Sequence, residues 1–141
     1  MPRRSRRGRG PEIEAALVRG KELIARMSEE SGGLLTTAAA ADLVGISPGA
    51  LRRRKNKSIL AVPAGGNRIG WPAFQFESKE VLEGVARTLK KLGVQAPWMQ
   101  VSFFLVRLDE LDDRRPIDLI KAGEIEPVER AASHFGEHGA A

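Results

Sequence analysis

The chain has 141 residues, 23 Lys and Arg against 18 Asp and Glu, a formal net charge of +5, 42% hydrophobic residues and no Cys. That length houses one core or two small ones, and the apolar fraction is that of an ordinary globular protein. Disulfides, thiolate metal sites and a cysteine nucleophile are excluded, and no apolar run approaches the length of a membrane span.

Residues 1–10, MPRRSRRGRG, carry Arg3, Arg4, Arg6, Arg7 and Arg9 and almost nothing to bury, so a disordered arm is expected. No hydrophobic segment follows these arginines, which argues against a secretory signal and for a cytoplasmic, nucleoid-associated chain. Such arms reach along phosphates or into a minor groove, and a merely solubilising tail is equally compatible. Next, Pro11 opens a predicted amphipathic helix with Ile13, Ala16, Leu17, Leu23, Ile24 and Met27 at three- and four-residue spacings, stopped by Gly32 and Gly33. Its stripe suits either pairing with a second subunit, in a homodimer, or packing on its own domain.

Residues 36–57, TTAAAADLVGISPGALRRRKNK, read as a helix-turn-helix. Ala41 is the small residue at the helix crossing, Gly45 supplies the positive φ of the turn, and Leu51 anchors the second helix inward. Ser47 is placed to cap that helix and Pro48 to occupy its first position. Arg52, Arg53, Arg54 and Lys55 then follow without interruption, which suits phosphates and base edges of duplex DNA.

A basic run is often only a solvated face, but the charge here is segregated. Residues 1–10 carry +5, 11–46 carry −3, 47–76 carry +6 and 77–141 carry −3, and no acid stands between Asp42 and Glu77. Solvated surfaces normally mix signs, so this footprint points to a polyanionic partner. The absence of Tyr and the 5% aromatic content argue against a stacking platform for single strands.

Beyond Lys57, a β-prone run at Ile59 to Val62, a Pro-Ala-Gly-Gly-Asn turn and an extended segment from Arg68 to Trp71 predict a hairpin placed as a wing, with Lys57 and Arg68 at the phosphates. These residues resemble the MerR and excisionase type of winged helix-turn-helix.

Residues 77–141 predict four short helices. Ser78 is expected to cap the first, with Val81, Leu82, Val85, Leu89 and Leu92 inward and Gly93 as its end. Pro97 starts the second, with Trp98, Val101, Phe104, Leu105 and Leu108 inward; Pro116 and Gly123 bracket the third, and Pro127 and Gly136 the fourth. His134 and His138 stand four apart with Gly136 between them and no third ligand, so no metal, cofactor or catalytic residue is expected. The expected fold class is mainly α: an arm over 1–10, an amphipathic helix and winged helix-turn-helix over 11–76, and a small helical domain over 77–141.

Trp71-Pro72-Ala73-Phe74-Gln75-Phe76, then Pro97-Trp98, Phe103-Phe104-Leu105, Arg115-Pro116-Ile117-Asp118-Leu119, Gly123, Val128 and Ala131-Ala132 resemble the C-terminal domain of the Xre/MbcA/ParS antitoxins. The resemblance implies that this domain binds a RES-type toxin, an enzyme that attacks NAD, while the N-terminal part represses the operon. Under it, Arg114, Arg115, Pro116, Asp118, Gly123 and the tail residue His138 are candidates for touching the toxin. The MerR-like half and the arm depart from the family pattern. A stand-alone DNA-binding regulator or chromosome-organising protein, whose helical part dimerises or recruits a partner, is the alternative.

Overall fold

The structure, a computed structural model, describes residue 22 and residues 25–136. Arg3, Arg4, Arg6, Arg7 and Arg9, most of the first expected helix, and the tail with His138 lie outside the described residues. The chain is mainly helical, with a small antiparallel sheet.

Residues 25–30 are helical and end where the glycine pair predicts, with Gly32 at φ 78° and Gly33 at φ 93°. A short strand β1, Leu34–Leu35, leads into α1, Thr37–Val44, whose N-cap Thr36 accepts the Ala39 N–H at 3.1 Å. Gly45 ends α1 in the left-handed region, φ 74°, with its N–H on the Asp42 carbonyl at 3.3 Å and the Ile46 N–H on the Ala41 carbonyl at 3.1 Å. This double closure satisfies two orphan carbonyls, and glycine adopts it without steric cost. The second helix, α2, Pro48–Arg53, starts as its residues predict: the Ser47 hydroxyl accepts the Ala50 N–H at 3.0 Å, and Pro48 opens the helix.

The predicted hairpin is present as β2, Val62–Pro63, and β3, Ile69–Pro72, with Val62 opposite Gly70. Pro63 lies on the edge strand, where a missing N–H costs no ladder bond. The other side of β3 pairs with β1, giving the order β1-β3-β2. Gly70 makes this possible: a Cβ there would stand 2.8 Å from Leu34 Cδ1.

A 3₁₀ turn, Ala73–Gln75, leads to a two-stranded ribbon, β4 (Phe76–Glu77) and β5 (Glu80–Val81). Ser78 and Lys79, at φ 52° and 66°, form its two-residue turn. The expectation that Ser78 caps a helix is therefore corrected. Ladder pairing satisfies this backbone, and Phe76 and Val81 pack on the apolar cluster around Leu51 and Trp71 instead of forming a helix face. The first C-terminal helix, α3, starts only at Glu83 and runs to Lys91. Then come α4, Pro97–Leu105, a 3₁₀ turn at Asp109–Leu111, α5, Pro116–Lys121, and α6, Ile125–His134. Pro97 and Pro116 open their helices as predicted, whereas Pro127 stands third in α6. Gly123 and Gly136, at φ 84° and 90°, follow α5 and α6.

Two apolar clusters result. Ala40, Ala41, Leu51, Ile59, Ala61 and Trp71 form one, beneath α1 and α2. The larger gathers Leu60, Val62 and Phe74 with the buried faces of α3 to α6, and Phe103 meets Phe104 and Phe135 edge-on. Residues 59–62 thus alternate between the cores, Ile59 and Ala61 into one, Leu60 and Val62 into the other. Extended backbone sends successive side chains to opposite sides, so one short segment ties both cores together. The expected boundary between residues 76 and 77 falls inside β4.

Candidate nucleic-acid interface

The helix α2 is held by one apolar anchor. Leu51 is fully buried in the cluster that includes Ala41 and Trp71, and the Trp71 indole N–H donates to the Thr37 hydroxyl at 2.9 Å, tying β3 to the start of α1. With Leu51 inward, Arg52, Arg53 and Arg54 are all exposed, as are Lys55 and Lys57 in the turn that follows. That turn is tight: Asn56 takes φ 61°, and its N–H reaches the Ile59 carbonyl at 2.7 Å. Ser47 serves the helix as a cap, with its hydroxyl committed to Ala50.

The hairpin loop brings a further cation beside α2. Gly65 and Gly66, at φ 104° and 57°, turn the chain, and Arg68 folds back with its Nε 3.5 Å from the Gly65 carbonyl. Arg52 and Arg68 share a cleft of about 370 Å³ with Thr36, Thr37, Asn67 and Gly70. Lys55 borders a second cleft with Asn67, Arg68 and Pro97. Arg54 does not join either; it lines a cleft with Val44, Lys79 and Glu80. None of these six basic residues of the 47–76 block makes an ion pair within 4.0 Å among the described residues.

The candidates for protein contact lie elsewhere and are mostly engaged within the chain. Arg115 forks onto Asp118, Nε to Oδ2 at 2.9 Å and Nη2 to Oδ1 at 3.0 Å. That hydrogen bond holds the Asp118 carboxyl below its usual range against the opposing effect of burial, with the Arg115, Lys121 and Arg107 charges adding to the lowering. The Arg115 guanidinium is pushed up by the same hydrogen bond, then by the charges of Asp118 and Glu30. Arg114 is exposed, with Nε on the Leu111 carbonyl at 3.1 Å and Nη1 3.8 Å from Glu124. Pro116 is buried at the start of α5, so it packs the core and is not presented to a partner. Gly123 is exposed, beside Arg87, Glu124 and Glu126 on an open cleft. His134 stands 3.8 Å from Glu110.

Lys79 belongs to this surface and carries no local signal, because the ribbon that places it is built from two-residue strands. Gly49 stands four residues before Arg53, whose Nη1 lies 3.7 Å from where a Cβ on Gly49 would be. Among the described residues no group of His, Asp and Glu could hold a metal ion, and no helix is long and apolar enough to cross a membrane. Comparison with protein-family models, with curated proteins and with solved structures gives no match.

Proposed function

We propose that this chain is a DNA-binding transcriptional autorepressor of the antitoxin type. In this reading α1 and α2 are a helix-turn-helix, α2 enters the major groove, and the β2–β3 hairpin is a wing against the backbone. One observation carries it: α2 is capped at Ser47 and anchored by buried Leu51, leaving Arg52, Arg53 and Arg54 exposed and without ion pairs among the described residues, with Arg68 alongside. Unpaired cations on a rigid element suit phosphates and guanine edges. The arm adds sequence-independent affinity by releasing counterions, and two protomers read half-sites about 34 Å apart or a multiple of it.

The helical segment is assigned to neutralising a RES-type toxin on the resemblance of residues 71–132, with Arg114, Asp118 and Gly123 exposed at and beside α5. The second reading, a stand-alone regulator, is favoured by Leu60, Val62 and Phe74 sharing a core with α3 to α6, which makes these helices a buttress for the wing. Selection of sites from a random duplex library by the full chain, followed by footprinting, tests DNA binding. Failure to enrich any sequence overturns it. Co-expression with the adjoining reading frame separates the two readings: rescue from a toxic neighbour that co-purifies supports the antitoxin, and a harmless neighbour leaves the regulator.

A further inference from the structure

Three consecutive arginines, the last two residues of α2 and its C-cap Arg54, point in three directions, and each direction ends in different surroundings. A helix turns about 100° per residue. Taking buried Leu51 as inward, Arg52 falls on one flank, Arg53 and Gly49 on the side facing away from Leu51, and Arg54 on the other flank. The neighbours agree with this count. Arg52 shares its cleft with Arg68, Arg54 shares another with Lys79, and Arg53 Nη1 lies 3.7 Å from where a Cβ on Gly49 would stand.

The geometry points to a division of labour, resting on the DNA-binding reading above. Arg53, over Gly49, reads a base edge; Arg52 with Arg68 holds phosphates of one groove wall; Arg54 with Lys79, at the turn of the β4–β5 ribbon, holds those of the other. A helix with side chains is about 10–12 Å across and the major groove about 12 Å wide, so flanking residues meet the two backbones. Only a residue on the outermost line reaches the groove floor. Gly49 adds no side chain there, which lets the backbone approach. The ribbon thus acts as a second wing, on the side of α2 away from the β2–β3 hairpin. Glu80 lines the same cleft as Lys79 and opposes it. Its removal is expected to act in the opposite sense.

The test uses the full chain and the duplex it selects from a random library, measuring base preference and the log–log dependence of affinity on salt. Arg53→Lys keeps the charge and loses the bidentate fork, so discrimination at one base pair is expected to fall about ten-fold with the salt slope unchanged. Arg52→Ala, Arg68→Ala and Lys79→Asn are expected to keep the base preference and flatten the slope by about 0.9 per protomer each. Asn is chosen because it tolerates the left-handed backbone at position 79. Glu80→Gln is expected to raise affinity several-fold at low salt. The division is overturned if Arg53→Lys leaves base preference intact, or if Lys79→Asn leaves the slope intact, while the wild-type chain binds its selected site. A wild-type chain that selects no site removes the DNA-binding reading itself.

Discussion

The side chain of Gln75 takes the place of a neighbouring strand for Leu60. Its Oε1 accepts the Leu60 N–H at 2.7 Å and its Nε2 donates to the Leu60 carbonyl at 2.9 Å, both deep in the protein. Leu60 lies where the backbone crosses between the two cores and has no ladder of its own. A buried peptide group without partners is costly, and one amide of matching polarity satisfies both of its atoms.

Replacing Gln75 with Leu keeps the volume and removes both bonds. The expected loss is about 2–4 kcal/mol, as two buried backbone groups lose their partners. Urea unfolding of the variant measures it, and a loss below about 0.5 kcal/mol would show that the clamp is dispensable. Because residues 59–62 belong to both cores, tryptophan fluorescence and far-ultraviolet dichroism are expected to report a single transition.

Gly84 in α3 permits close contact with α5. A Cβ there would stand 2.6 Å from Ile120 Cγ2 and 3.1 Å from Ile125 Cγ1. Gly84→Ala is expected to destabilise by about 1–3 kcal/mol through overpacking, although alanine is the better helix former. With Ile120→Ala in the same chain, thermal unfolding is expected to show less than the sum of the two effects, because the clash is relieved.

The Arg115–Asp118 fork gives a small pH dependence of known sign. The folded-state pKa of Asp118 is lowered, so its contribution is present above the unfolded value of about 3.9 and lost as pH falls through the lower folded value. Asp118 is 52% exposed and Arg115 33%, so screening limits the pair to about 0.3–1 kcal/mol. Asp118→Asn is expected to lower the melting temperature slightly at pH 7. The difference from wild type is expected to shrink as the pH falls below about 3.9.

Local chemistry was legible in the residues. Ser47 and Pro48 marked the start of α2, Gly45 its preceding turn, Pro97 and Pro116 the starts of α4 and α5, and the glycines after Pro63 a hairpin, because each acts on its own few neighbours. The elements that depend on distant partners were not. Leu34–Leu35 and the β4–β5 ribbon are too short for a period to show, and their pairing is decided by Gly70 and by the place of Phe76 and Val81 on the first core. The role of Gln75 likewise exists only once Leu60, fifteen residues earlier, is brought beside it. For the candidate site, the basic block was visible as composition, while its separation into three directions and the addition of Lys79 required the fold. Pro116 was visible as a helix start, but its burial was not.

The central claim is that the basic residues of this chain lie on duplex DNA, and the dependence of affinity on salt tests it most directly. The arm has five basic residues and the 47–76 block six. If about half contact phosphate, a dimer neutralises about ten, and the log–log slope for the selected duplex is expected near −9. Changing Arg52, Arg53 and Arg54 together to Ala is expected to flatten that slope and abolish site preference. A wild-type slope near −2, or a triple variant that still binds its site with the wild-type slope, would contradict the account.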